Sequence, residues 1–459
     1  MNGKNLINFH DLDIETLVSA LGTVIAVFLA VIWYIRRKEK EAVEAKLSEV
    51  VDETEASEPE EQEEKAKEAQ LKQRKGDDSK QKAKDTFQHP WLVTTLKGHT
   101  AAVTGIGFFP DGKKLMSVSV DRNVFLWKVG EFQTKERKSF KQVLDFDTAT
   151  KVAGASDSKS VVMSMKRDNK LEVFKWVKKD DNGSLKLVPA GTLDFPICHQ
   201  IDIKWIGISS SGKFLMSAAP DQKVVLYDLK GQILKKLEPK VSTIYDCAIS
   251  PDGRFISVCG FTPDVLVFEP TFKADIGFQD CKKVFDLKGH NSGVFVAAFN
   301  SNGTRAVTVS RDGFWRVFDT EVRYNQGQDA TVLRKGEWAC LKGAQAEKIH
   351  LAVSPFGGSI AISFGTNIKF FSSEDETKDY PEIPEVHVSS IEEMTFSPCG
   401  NYLVSCADRY IRVFHNVAEH HSTVVRLTRT LPEIHGDGPR RRAAEQIEEA
   451  KTQIDHYKA

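Results

Sequence analysis

No two of the seven cysteines in this 459-residue sequence stand in a Cys-x-x-Cys spacing. Their number is odd and they are scattered (Cys198, Cys247, Cys259, Cys281, Cys340, Cys399, Cys406). That pattern argues against a zinc ribbon or a disulfide framework and fits free thiols in a reducing compartment. The phosphate-cradling Gly-x-x-x-x-Gly-Lys-Ser/Thr loop is missing, as are His-Glu-x-x-His and the set of kinase loops. P-loop hydrolysis, zinc proteolysis and kinase transfer therefore have no support, and no cofactor is implied. An excess of charge is lacking too: 63 basic residues meet 64 acidic ones, a formal net charge of −1. Global charge thus gives no reason to expect nucleic acid as the main ligand. Aromatic and β-branched residues are scarce between 36 and 86 and abundant after about residue 90.

Residues 17–35, LVSALGTVIAVFLAVIWYI, carry no charge. At 1.5 Å per residue such a helix reaches roughly 28 Å, one hydrocarbon thickness. Acidic residues precede it (Asp11, Asp13, Glu15), and it ends in Trp33-Tyr34-Ile35, unlike a cleaved signal peptide. The expectation is a transmembrane helix at 17–35. Arg36, Arg37, Lys38 and Lys40 follow it, whereas Lys4 alone precedes it. The positive-inside rule then puts residues 1–16 in a lumen and the rest of the chain in the cytosol. Glycans at the sequons Asn182 or Asn302 would overturn that orientation. The modest span suits the thinner endoplasmic reticulum bilayer. Gly22, Ala26 and Ala30 recur every four residues, a small-residue face on which another membrane helix could pack. Residues 36–86 are almost all Lys, Glu, Ala, Gln, Asp and Ser; they cannot bury a core and read as a charged, largely disordered cytosolic linker.

From residue 91 short apolar strands alternate with turns, and they repeat. A small hydroxyl residue near the end of a strand recurs as Ser117, Ser164, Ser217, Ser257, Thr308, Ser363 and Ser405, at steps of 40 to 55 residues. Tight turns such as Pro110-Asp111-Gly112 and Ser301-Asn302-Gly303 precede most of them, and supply the positive φ that hairpins need. Asp121, Asp168, Asp221 and Asp312 follow four residues after the column, and Asp408 three after it. An aromatic residue then ends the next strand: Trp127, Phe174, Tyr227, Phe268, Phe318, Phe370 or Phe371, and Phe414. Seven units of this length predict an all-β, seven-bladed propeller over 91–431. Gly98-His99, Ser117, Asp121 and Trp127, with Gly289-His290, Thr308, Asp312 and Phe318-Asp319 in the fifth unit, resemble the WD40 family. The full layout of span, charged linker and degenerate propeller resembles membrane-anchored members of that family. The resemblance implies an endoplasmic reticulum membrane protein with a cytosolic propeller that binds other proteins.

His99, Ser117 and Asp121 look like a base, nucleophile and orienter. In the WD40 pattern they are instead structural: Asp holds His, His holds Ser, and Ser meets the Trp N–H, so each buried donor has an acceptor. His290, Thr308 and Asp312 form the second such set, one bond shorter because Phe318 has no N–H. The remaining units lack His or Trp and are expected to lean more on apolar packing. His420-His421 reads as a solvated pair in a loop. Two basic runs, Lys135, Arg137 and Lys138 and then Arg440, Arg441 and Arg442, support an alternative reading: RNA bound through its phosphates at the membrane surface. Ala443, Ile447, Ala450 and Ile454 give the tail, 439–459, a thin apolar helical stripe. Ring closure has two candidates. Trp91–Leu96 is favoured as the closing strand; Thr423–Leu431 also alternates like one.

Overall fold

The structure is a computed structural model that describes Lys38 and residues 87–457, except 146, 180–184, 192–193, 274, 276 and 376. The expected span, nearly all of the linker, and Gly22, Ala26 and Ala30 lie outside the described residues. Among the described residues no helix is long and apolar enough to cross a membrane.

Residues 92–415 fold into seven antiparallel sheets, six of four strands and one of three. The first strand of each sheet neighbours the first strands of the sheets on either side, which closes a ring around a central channel. The result is a seven-bladed propeller. The turns expected from sequence carry its hairpins: Gly112, Gly212, Gly253, Gly303, Gly357 and Gly400 all have φ between 64° and 79°. The second blade has no glycine there and places Ser158 at φ 54° instead.

The ring closes through the N-terminal strand. Leu92–Lys97 pairs antiparallel with Tyr410–His415, the third strand of blade 7, from Leu92 opposite Phe414 to Lys97 opposite Tyr410. Trp91 is buried beside this seam, edge-on to Phe370 and Tyr380. The rival segment is not a strand. Residues 423–430 belong to helix α1 (Val417–Thr430), and 431 begins a short 3-10 turn. With the edge of blade 7 already taken, the chain leaving His415 has no strand to pair with. Asn416 caps the helix by accepting from the Glu419 backbone N–H at 3.3 Å. The strands therefore end at His415, short of the expected 431.

Helix α1 has a structural task. Among the described residues blade 6 has three strands, with Ile383 in an isolated bridge to Ile368 of the third, and α1 packs on the second and third strands. Ser422 Oγ sits 2.8 Å from Ser372 Oγ and donates to the Gly358 carbonyl at 2.6 Å. A helix laid on a sheet edge hides groups that would otherwise template another strand. Helix α2 (Asp437–His456) packs antiparallel-fashion on α1 and buries the expected stripe Ala443, Ile447, Ala450 and Ile454.

The core lies between blades. Met116, Val118, Val124 and Leu126 of blade 1 meet Val152, Val161 and Met163 of blade 2; equivalent layers lie between blades 3 and 4 and between 5 and 6. Around the channel, Lys151 of blade 2 pairs with Glu393 of blade 7 at 3.0 Å, and Glu393 also accepts from the Ile106 backbone N–H of blade 1 at 3.2 Å. Asp246 of blade 4 accepts from the Ala297 backbone N–H of blade 5 at 3.2 Å.

Candidate functional site

In blade 1 the donor-only Trp127 fixes the direction of a chain of bonds. Its Nε1–H donates to Ser117 Oγ at 3.0 Å. Ser117 Oγ–H is then directed at His99 Nε2, 2.8 Å away, and His99 Nδ1–H donates to Asp121, 3.3 Å from each oxygen. Asp121 also accepts from the backbone N–H groups of Thr100 at 2.8 Å and Asn123 at 2.9 Å. Burial acts to raise the Asp121 carboxyl, but those bonds and His99 outweigh it and hold it far below the ordinary carboxylate range. Burial pushes the His99 imidazole below its ordinary value.

The same network occurs four times. The fifth unit joins His290 Nε2 to Thr308 Oγ1 at 2.7 Å and Nδ1 to Asp312 at 3.0 Å. His199 bonds Ser217 at 2.8 Å and Asp221 at 3.1 Å, with Tyr227 in the place of Trp and its hydroxyl 3.2 Å from Ser217. His387 bonds Ser405 at 2.9 Å and Asp408 at 3.2 Å. The last two correct the expectation that the other units lack His or Trp and lean more on apolar packing. They were hidden because Cys198-His199 and Val386-His387 lack the preceding glycine. The signal that would have found them is a fixed interval: each histidine stands 18 residues before its hydroxyl partner.

In blades 2, 4 and 6 the hydroxyl column is one residue out of register. The position two residues beyond the partner of the strand-ending aromatic is Met163, Val258 and Ile362, by the pairs Val161–Phe174, Ile256–Phe268 and Ile360–Phe371. In blade 1 the pair Leu115–Trp127 gives Ser117 by the same rule. A one-residue slip turns a strand residue to the other face. Ser164, Ser257 and Ser363 thus point away from the network face, and Asp168 is exposed. Met163, Val258 and Ile362 are buried in the layers facing the preceding blade.

Blades 5 and 7 contain a further substitution. Where Phe318 and Phe414 replace Trp, an arginine stands two residues earlier: Arg316, 7% exposed, and Arg412, 1% exposed. Arg316 contacts His290 Nδ1 and reaches Asp312 at 3.3 Å; Arg412 meets His387 Nδ1 at 3.0 Å. In both blades Nδ1 therefore faces an aspartate carboxylate and a guanidinium together, whereas in blade 1 it faces the carboxylate without an arginine beside it. Burial, and then Arg316, hold His290 down to about 4.

These oxygens are not nucleophiles offered to a substrate. Ser117, Ser217, Thr308 and Ser405 are 0% exposed and already bonded. In blades 1, 3, 5 and 7 the networks tie the blade's entry to the turn between its second and third strands. That turn and the histidine share one end of the ring, where Val120, Ile197 (63% exposed), Ile201, Phe261 (57%) and Val388 are exposed among polar neighbours such as Thr100, Arg122, Arg167 and Arg311.

The basic runs are both exposed. Arg441 pairs with Glu445 at 3.5 Å, and Arg137 reaches the Phe132 carbonyl at 3.5 Å. None of these six residues lines the cavity nearest to them in sequence. Gln133 and Gln446 both line a space of about 560 Å³ with Tyr402, His415, Arg426 and Tyr457. His420 also lines it. The His420-His421 pair is therefore half-buried on α1 rather than solvated in a loop, with His421 edge-on to Tyr380.

Radial four-stranded sheets, closure by the N-terminal strand and buried His–Ser/Thr–Asp networks define a WD-repeat propeller. The family model "WD domain, G-beta repeat" matches residues 90–128, 280–319 and 383–415, and each matched stretch holds one network histidine. The chain is 35% identical over 367 residues to transducin beta-like protein 2 of Mus musculus, covering 80% of this chain and 81% of that protein. It is 33% identical to transducin beta-like protein 2 of Homo sapiens over 365 residues, 80% of each. TBC1 domain family member 31 of Xenopus tropicalis is 23% identical over 239 residues, 50% of this chain and 20% of that protein. The chain belongs to the transducin beta-like protein 2 family.

Proposed function

We propose that this chain is a membrane-anchored scaffold without catalysis, whose propeller recruits cytosolic or membrane proteins at the endoplasmic reticulum surface. The observation that carries the reading is the set of apolar side chains at the histidine end of the ring, Ile197 and Phe261 foremost. Exposed apolar side chains are surface that a protein contact would bury. The uncharged run at 17–35 with its trailing Arg36-Arg37-Lys38 supports the anchor and the cytosolic placement. The test is proximity labelling from the C-terminus in intact cells, for the natural chain and for Ile197→Glu with Phe261→Glu. Cytosolic and membrane proteins should be labelled, and a subset should vanish in the double variant. An unchanged set removes the histidine end as the contact, and labelling of lumenal proteins removes the orientation. The small-residue face adds a second contact within the membrane: Gly22→Leu with Ala26→Leu should release a membrane partner, and persistence of that partner would place its contact in the linker or propeller.

A second reading is RNA binding, favoured by the two exposed basic runs and by a cavity that Tyr402, Tyr457 and Arg426 line. Aromatic faces and a basic rim are the means by which single strands are held. Cellular RNA should crosslink to the chain and be lost when Arg440, Arg441 and Arg442 are changed to Glu. No crosslink above background ends this reading.

A further inference from the structure

Three guanidiniums converge far from the features described so far. Arg305 opens the second strand of blade 5 (Arg305–Ser310), Arg334 lies in its outermost strand (Thr331–Glu337), and Arg429 ends α1. Together with Leu333 they wall a space of about 260 Å³. Its inner side is Glu374, whose carboxylate is 5% exposed. Arg305 donates to Glu374 Oε1 at 2.7 Å and Arg429 to Oε2 at 2.6 Å. Arg334 donates to the Ser372 carbonyl and lies over the Trp315 ring, 5.4 Å from its centroid. Burial acts to raise the Glu374 carboxyl, but the bonds and charges of Arg305 and Arg429 outweigh it and hold it below its ordinary value. Asp375 lies close enough to feel Arg334, while its side chain is spent on the Thr377 backbone N–H and hydroxyl. Three positive groups against two negative ones leave the pocket net positive.

The gap lies beside blade 6, which has three strands among the described residues. Beside it the outermost strand of blade 5 has no strand on its outer edge, and it exposes Val332 (46%) and Leu333 (52%). An open strand edge with an apolar step suits an extended peptide. A guanidinium cluster suits a phosphate better than a single carboxylate, because each fork offers several parallel donors and a phosphate supplies about two charges and three acceptor oxygens. Nucleic acid has phosphates for the guanidiniums but no peptide main chain for the open strand edge.

We propose that this gap docks an extended protein segment carrying a phosphorylated side chain. The phosphate enters among Arg305, Arg334 and Arg429, and a neighbouring apolar side chain of the segment covers Leu333. The site is separate from the histidine end of the ring, so its fate and that of the scaffold reading are independent.

The test uses the full chain purified in detergent. Its probes are fluorescein-labelled nonapeptide pools fixed only at a central phosphoserine, serine or glutamate, read by anisotropy. The phosphoserine pool should bind at least tenfold more tightly than the serine pool, with the glutamate pool between them. Arg429→Gln, at an exposed helix end, should weaken the phosphoserine pool at least fivefold. Glu374→Gln removes the internal competitor while keeping an acceptor for the guanidiniums, and should tighten it. Opposite responses from two neighbours cannot come from misfolding. Equal binding of the phosphoserine and serine pools overturns the proposal, as does indifference to Arg429→Gln. A single-stranded oligonucleotide that binds more tightly than the phosphoserine pool, and loses that binding in Arg429→Gln, would also overturn it by giving the pocket to nucleic acid.

Discussion

A single donor decides how each buried network is wired. Trp127 supplies an N–H to Ser117 in blade 1, and Phe318 and Phe414 supply none in blades 5 and 7, where Arg316 and Arg412 approach the histidine from its other nitrogen. Trp127→Phe should therefore cost about 1 kcal/mol for the lost bond, plus a smaller amount for lost contact with Phe125, 5.2 Å away centroid to centroid. Urea unfolding measures this, and a loss below a few tenths would mean that Ser117 finds another donor. The histidines also set a pH dependence. Burial lowers all four network imidazoles, His290 to about 4. The unfolded chain binds those protons near 6.5, so the contribution of these groups is complete above that value and is lost as pH falls toward 4. Asp246 works in the opposite direction. Burial raises it to about 7, against backbone N–H bonds that lower it. Its ionisation therefore costs stability as pH rises from about 4 through 7. Asp246→Asn should match the natural chain near pH 4 and exceed it at pH 8 by on the order of 1 to 3 kcal/mol. Equal stability at pH 8 would mean that the channel hydrates this carboxylate.

The hairpin is the element that sequence announces most clearly, because its glycines are required by backbone geometry rather than by tertiary context. Gly112, Gly212, Gly253, Gly303 and Gly400 mark five turns and all take positive φ. Register within a strand is less legible. Ser164, Ser257 and Ser363 satisfied the search for a hydroxyl residue, yet they lie one residue from the network face, and only the pairings of Phe174, Phe268 and Phe371 reveal it. His199 and His387 are hard to read for a related reason: no glycine precedes either one, and the physical requirement is an interval of 18 residues to the hydroxyl. The segment 423–431 alternates like a strand, but alternation counts only where an edge is open, and Leu92–Lys97 already occupies it. What α1 does instead rests on Gly358. A Cβ there would lie 2.8 Å from Ser422 Cβ and 2.8 Å from a Glu419 carboxylate oxygen, both on α1. Gly358→Ala should lift the helix, costing roughly 1 to 3 kcal/mol as overpacking does. It should also bare the third strand of blade 6 and make residues 417–430 open to limited proteolysis. Equal protease protection in the variant would show that α1 docks without this close approach.

At the scale of the whole molecule the ring is held by contacts between distant parts of the chain. Residues 92–97 complete the blade made by 393–415, and Lys151, Glu393 and the Ile106 backbone link blades 2, 7 and 1 across the channel rim. A closed ring of this kind leaves its turns as the accessible surface, and one of them reports on which side of a membrane the propeller lies. Asn302 sits in the exposed Ser301-Asn302-Gly303-Thr304 turn of blade 5, within an Asn-x-Thr sequon. Its side chain bonds only locally, to the Thr304 hydroxyl at 2.8 Å and to the Thr304 backbone N–H at 3.5 Å. Folding does not hide it, so it would be modified in a lumen whether the glycosylating enzyme met the chain before or after folding. Under the proposed orientation the site faces cytosol and stays bare. Treating the chain from cells with an N-glycosidase should leave its mobility unchanged, while a sequon engineered within residues 1–16 should gain a removable glycan. A removable glycan on Asn302 would place the propeller in the lumen. It would also turn the basic residues at 36–40 into an exception to the positive-inside rule.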